Sequence, residues 1–259
     1  MRYRLLPVFA VTVFLLFSCE KESKQDSTGK IQSLSYESKE YYNHQGECDS
    51  LMNDCVYVKL VYPEFMPLHN PAADSINKFV KYVLLVSYEM EMYESFDAIA
   101  QSLFDDYNSV KADYEDYNGT WSLEKTIEVK SQTGNLITLY YSEYSYMGGA
   151  HPNSVFDYFN FDLTTGKRIF FDDLVQADKK EELLKLGEKK FRELKGIPVR
   201  QDLETAGYWF ENNEFYLAQS FFMNDSGVVF LYNAYEIAPY AEGITELFIS
   251  KDELKGILK

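Results

Sequence analysis

Hydrophobic and polar positions alternate along much of the chain, with a period of two that predicts strands rather than helices. The clearest block begins at Thr120. Trp121, Leu123, Ile127 and Val129 occupy odd positions, with Ser122, Glu124, Thr126, Glu128 and Lys130 between them. One face is therefore apolar and the other wet, as in an antiparallel sheet covered on one side. Gln132-Thr133-Gly134-Asn135 joins this run to a second, Leu136 to Tyr146. The second run breaks at Gly148-Gly149 and turns through Ala150, His151, Pro152 and Asn153. Val155 to Leu163 alternates again, Thr164-Thr165-Gly166 makes another turn, and Arg168 to Phe171 forms a short third run. The glycines admit positive φ and Pro152 pushes His151 towards extended geometry, so the whole stretch reads as a β-meander.

Elsewhere the period changes. Ile31 to Tyr42 alternates loosely, and Cys55 to Tyr62 is a dense strand that Pro63 should end. Three prolines between Pro63 and Pro71 predict a loop. From Ala72 to about Tyr107, Ile76, Phe79, Val80, Val83 and Leu84 recur at three- and four-residue steps, with Asp74 and Ser75 as capping residues. That predicts one long helix, broken near Ser95. A second helix is expected over Ala177 to Lys195, with Leu183, Leu184, Leu186, Phe191 and Leu194 on one face and Gly196-Ile197-Pro198 as its stop. Strands follow at Glu214 to Phe222, Val228 to Tyr232 and Ile244 to Ile249, then a short terminal helix, Ser250 to Leu258. The expected class is α+β: antiparallel sheet with one long helix in an N-terminal half, residues 31–143, and a helix on a meander in a C-terminal half, residues 144–259. The halves should meet near Tyr141 to Gly149.

The first eighteen residues do not belong to that pattern. Arg2 and Arg4 precede the apolar run Leu5 to Phe17, and Leu16-Phe17-Ser18-Cys19 closes it. This resembles a lipoprotein signal peptide cleaved before Cys19, which would carry the lipid; the run is short for a membrane span. Residues 19–30 are polar and read as a tether. Lys21-Glu22 resembles a surface-export signal. The expected address is the cell envelope, lipid-anchored to the outer membrane of a Gram-negative bacterium, on the periplasmic face or the cell surface.

Loss of residues 1–18, with their two arginines, takes the net charge of −16 to −18. So acidic a chain argues against nucleic-acid binding and suits a cationic partner. With Cys19 lipidated, Cys48 and Cys55 remain in an oxidising compartment, flanking a loop of about eight residues whose closure contributes roughly 2–3 kcal/mol. A disulfide between them is expected.

Catalytic sets are hard to find. The three histidines, His44, His69 and His151, fall in expected turns and loops and lack partners at metal-ligand spacing. His151 is read as hydrogen-bonded to its own turn. Asp172-Asp173 superficially resembles the aspartate pair of polysaccharide deacetylases, but no histidine follows His151 to complete such a metal site. No catalytic residue, metal or cofactor is assigned.

Three segments in order carry a family resemblance: YSYMGGAHPN (144–153), YFNFDLTTGKRIFFDDL (158–174) and VVFLYNAYEIAPYAEG (228–243). They resemble DUF3298, the ectodomain family of unknown function found in RsiV-type anti-sigma factors and ahead of the catalytic domain in PdaC-type peptidoglycan deacetylases. Residues 31–143 look like its companion N-terminal domain, of the DUF4163 type. The resemblance implies an extracytoplasmic binding module without catalytic residues of its own. In the anti-sigma factors that module binds lysozyme, a cationic muramidase. The partner implied here is a lysozyme-like cationic protein or a peptidoglycan fragment, held by exposed Tyr235 and Tyr240 on a loop stiffened by Pro239. The alternative is an envelope hydrolase using carboxylates that no motif reveals.

Overall fold

The computed structural model describes residues 33–48, 54–66, 71–87, 91–114 and 116–259. The expected signal peptide, Cys19 and the tether lie outside these residues, as do positions 49–53 of the cysteine loop and His69. Six strands form the first sheet in sequence order: β1 (Tyr36–Gly46), β2 (Cys55–Phe65), β3 (Thr120–Thr133), β4 (Leu136–Tyr146), β5 (Asn153–Asp162) and β6 (Arg168–Ile169). Every neighbouring pair is antiparallel except β2 and β3, which run parallel. A parallel pair cannot be closed by a hairpin. The crossover carries α1 (Pro71–Leu85) and α2 (Phe96–Asp113), which bury Ile76, Val80, Leu84, Ile99, Leu103 and Tyr107 against Val56, Val58 and Leu60.

A second core begins at Phe171. There a four-residue helix, α3 (Phe171–Leu174), leads to α4 (Lys180–Lys195), which packs with a three-stranded antiparallel sheet of β7 (Phe221–Asn224), β8 (Gly227–Tyr232) and β9 (Thr245–Ser250). Edge-to-face rings dominate it: Phe171 lies 4.7 Å from Phe230 and Phe191 lies 5.1 Å from Tyr208. The α+β architecture expected from the sequence is present, and so is the meander, as β4, β5 and β6. Among the described residues no helix is long and apolar enough to cross a membrane.

Several boundaries differ from expectation, each for a local reason. Strand β2 runs through Pro63 to Phe65, and β1 extends to Gly46, which puts His44 on a strand rather than in a turn. The backbone nitrogens of Pro63 and Phe65 point to the same side, where β3 has stopped pairing at Val61. Proline lacks nothing there, and the Phe65 amide is taken by Asn77 Oδ1 at 2.8 Å. The long helix ends at Leu85, well before Ser95, and Ser95 caps α2 by accepting from the Ala98 amide at 3.1 Å. On α4 the buried face is Leu183, Gly187 and Phe191, while Leu184 and Leu194 are exposed. Gly187 leaves room there for Leu217: a Cβ would lie 2.8 Å from Leu217 Cδ2, and that side chain would have to shift. Of the expected strand Glu214 to Phe222 only the last two residues enter β7. The expected terminal helix is instead a run of turns, with Gly256 at φ +80°, closed by a bridge between Leu258 and Val175.

The two cores meet across β5 and β6. Residues 143 and 144, the expected domain boundary, are neighbours inside β4; the first core extends to Leu163 and the second starts at Phe171. Beyond the reach of β6, the edge of β5 is closed by side chains from the C-terminal half. The Asn233 side-chain amide accepts from the Phe156 N–H at 2.8 Å and donates to the Phe156 carbonyl at 2.9 Å. Ser220 accepts from the Tyr158 N–H at 2.9 Å. Arg168 sits in a cage of rings, its guanidinium 4.5 Å from Phe159 and 4.9 Å from Phe79, and burial pushes its pKa down to about 10.

Two carboxyls at this junction titrate unusually. Burial lifts Asp157 above its ordinary 3.8 and Glu236 above its ordinary 4.5. A carboxyl whose folded pKa is raised contributes stability that is complete below its unfolded pKa and lost as pH rises through the folded value. Part of the protein's stability should therefore fall as pH climbs above about 4, and Asp157→Asn should flatten that fall. Urea midpoints of the two proteins across this range are the check; parallel profiles would remove Asp157 from the account.

Candidate functional site

Odd-numbered positions of β3 and β4 face the helices, and pairing sets Leu123 opposite Ser145 and Lys125 opposite Glu143. These four residues floor a cavity of about 560 Å³. One wall is α2, which presents Ile99, Ser102, Leu103 and Asp106 at helical spacing; the connection from α1 supplies Ser87, Glu91 and Tyr93. Met147, Asn153 and Tyr235 form the rim, so the turn after β4 and a loop of the C-terminal half meet at its mouth.

Lys125 is the buried charge of this site, its side chain only 3% exposed. Its ammonium donates to Val86 O at 2.6 Å and Leu84 O at 3.3 Å, and stands 3.6 Å from Glu143 Oε2. The two carbonyls belong to the C-terminal end of α1, where unsatisfied acceptors and the helix dipole favour a cation. Glu143 also accepts from the Tyr141 hydroxyl, and burial raises that phenol far above its ordinary range. Burial lowers the Lys125 pKa, with Glu143 pulling the other way. With two carbonyls as hydrogen-bond acceptors and Glu143 at ion-pair distance, Lys125 is a strut under α1 rather than a free nucleophile. What remains facing the cavity is negative and half apolar: Glu91, Asp106 and Glu143 against Ile99, Leu103, Leu123 and Met147.

Beside the rim lies the loop expected to contact a partner. Tyr235 is 55% exposed with φ +67°, a conformation unusual for an aromatic residue. Ile237 and Ala238 turn inward and are buried, Pro239 precedes the short 3₁₀ turn Tyr240–Glu242, and Tyr240 emerges again, 37% exposed. The Ile237 carbonyl accepts from the Trp209 N–H at 3.0 Å, and Glu236 accepts from the Asn233 N–H at 2.8 Å. Tyr240 then stacks on the ring of His151, with centroids 4.2 Å apart and planes 15° apart, and Tyr235 lies 5.5 Å from Tyr240. His151 Nδ1 is 2.9 Å from its neighbour's carbonyl, Pro152 O, the turn contact expected of it. The glycine turn and the tyrosine loop, far apart in the sequence, thus form one aromatic surface.

The disulfide expected between Cys48 and Cys55 is present, with Cα atoms 5.1 Å apart. Among the described residues no group of three or more His, Cys, Asp or Glu side chains could hold a metal ion. The motifs of the sequence do not single out Lys125, Glu143 or Asp106. For Lys125 a signal exists all the same, a charge at an odd position of an otherwise apolar stripe.

Two family models match the chain. Residues 168–252 match DUF3298, a protein family of unknown function, and residues 50–154 match the model described as deacetylase PdaC. The C-terminal part of the chain is thus similar to DUF3298 and its N-terminal part to the PdaC model. The segment 144–153 falls in the PdaC match, while the DUF3298 match begins at Arg168, just ahead of the second core. A DUF3298-family protein of Pseudomonas aeruginosa has the same fold with a TM-score of 0.63, at 22% identity over 88% of this chain and 96% of that one. A DUF3298-family member from Bacteroides fragilis gives a TM-score of 0.67, at 19% identity over 89% of this chain and 95% of that one. At these identities the likeness bears on the fold alone. No curated protein matches the chain.

The strut under α1 can be tested by substitution. Lys125→Met leaves Glu143 without its cation and should cost about 3 kcal/mol in urea unfolding. Lys125→Met combined with Glu143→Leu should recover part of that loss, because no half-buried charge is then left alone. A single variant as stable as the parent would show that Lys125 carries no such role.

Proposed function

We propose that this protein is a lipid-anchored, non-catalytic binding protein of the cell envelope, and that its partner is a cationic wall-active protein such as a lysozyme. The observation that carries the reading is the aromatic surface of His151, Tyr235 and Tyr240, stacked, partly exposed and held on a loop fixed by buried neighbours. Rigid, exposed tyrosine offers contact area at low entropic cost, which is why such residues anchor interfaces. The strongly negative net charge, −16 for the whole chain and −18 without residues 1–18, supplies long-range attraction for a basic partner and speeds encounter. The acidic cavity beside Tyr235 adds a local sink for positive charge. The anchor, at Cys19, rests on the signal-like N-terminus.

Calorimetric titration with a lysozyme, at low and physiological salt, tests the reading. Saturable binding that survives physiological salt and weakens about tenfold or more in Tyr240→Ala is the expected result. Binding seen at low salt alone would reduce the interaction to unspecific charge. No binding at either salt would remove this partner.

A further inference from the structure

The even-numbered positions of β3 and β4 face away from the helices, and there the register assembles a second concavity. Tyr57 of β2 lies beside Ser122 of β3, which lies opposite Tyr146 of β4; Glu124 lies opposite Tyr144. With Thr120 these residues line a groove of about 620 Å³. Its walls are tyrosines and its floor is hydroxyl-bearing. The Tyr57 hydroxyl donates to Glu124 Oε1 at 2.6 Å and so fixes the carboxylate. Tyr42, 47% exposed, extends the aromatic surface along β1, its ring 5.9 Å from that of Tyr57 and 5.4 Å from that of His44. Tyr144 is 41% exposed. The C-terminal half packs on the same face at the β5 end, where Phe222 stacks on Tyr158.

Three features select the ligand. Strands β2, β3 and β4 are interior to the sheet, so their backbone groups are engaged in ladders and cannot recruit a peptide by strand addition. Recognition must come from side chains alone. Walls two strands apart stand about 9–10 Å from each other at the backbone, a width that admits one saturated ring against an aromatic face. A carboxylate can accept up to about four hydrogen bonds, so Glu124 keeps capacity beyond the one from Tyr57, and Ser122 and Thr120 bring hydroxyls. Apolar ring faces, hydroxyl partners and a single carboxylate suit a pyranose, whose C–H face is apolar and whose hydroxyls donate. The Glu124 carboxylate and the chain's net charge of −16 disfavour phosphate, sulfate and uronate, although Lys59 lies beside Glu124 in the register.

We propose that this groove binds a neutral or amine-bearing pyranose chain, at a site separate from the His151–Tyr240 surface. The test is titration of the protein with β-1,4-linked hexamers of glucose, N-acetylglucosamine and glucosamine, with oligogalacturonate as the anionic control. Saturable binding of at least one of the three, none of oligogalacturonate, and a loss of about tenfold in Tyr144→Ala and in Tyr57→Ala would support it. Glu124→Gln should erase any preference for glucosamine. Tyr240→Ala should leave saccharide binding unchanged, which separates this site from the protein-binding surface. Tyr144 is exposed, so its removal leaves folding intact, and circular dichroism checks that. Absence of binding by all three hexamers, or binding indifferent to Tyr144→Ala and Tyr57→Ala, would overturn the proposal.

Discussion

The parallel pairing of β2 with β3 is the constraint on which the rest depends. Antiparallel neighbours can be joined by tight turns, and the remaining pairs of the first sheet follow in sequence order. Between β2 and β3 the chain must return along the length of the sheet, and it does so through α1 and α2. Both helices cover one face, because Val56, Val58 and Leu60 offer their apolar side there. The C-terminal end of α1 then stops above β3, and its carbonyls need a donor. Lys125 supplies one from the sheet below, with Glu143 balancing its charge. The cavity is the space left between that strut, α2 and the turn after β4.

Much of this is legible in the alternation of residues. The meander, the two helical regions and the cysteine pair all follow from period, glycine placement and spacing. The parallel pair does not, because alternation reports which face a residue takes and says nothing about the direction of the neighbour. Pro63 misleads for a related reason: a proline ends a strand where its missing N–H is needed, and here the neighbour on that side has already stopped pairing. The inward face of α4 is hard to read because Leu184 and Leu194 resemble core residues by type, while the glycine at 187 marks the true line of close approach.

The candidate surfaces are unevenly visible. Tyr235, Pro239 and Tyr240 stand out as tyrosines flanking a proline, yet their meeting with His151 depends on how the two cores dock. That docking relies on Asn233, whose amide imitates one rung of a strand against Phe156. A single asparagine in a loop carries no sequence signature of such a role. The positive φ of Tyr235 points the same way: an aromatic residue is held in a costly conformation only where its surroundings over-determine it. Buried Ile237 and Ala238 and the bonds from Asn233 and Trp209 provide that restraint.

Both concavities draw on the same two strands. In a pleated strand consecutive side chains point to opposite faces, so Lys125 and Glu143 face the helices while Glu124 and Tyr144 face the groove. A slip of one residue between β3 and β4 would exchange the two sets, placing charges in the core and tyrosines under the helices. The only irregularity in this ladder is the shift between Val129 and Ser131, at the end remote from both sites. Beyond it Gln132 turns to bond the backbone of Leu34, accepting from its N–H at 2.7 Å and donating to its carbonyl at 2.9 Å. The bulge thus re-aims side chains where the sheet edge needs closing, and leaves Thr120 to Glu128, which carry the two surfaces, in strict register.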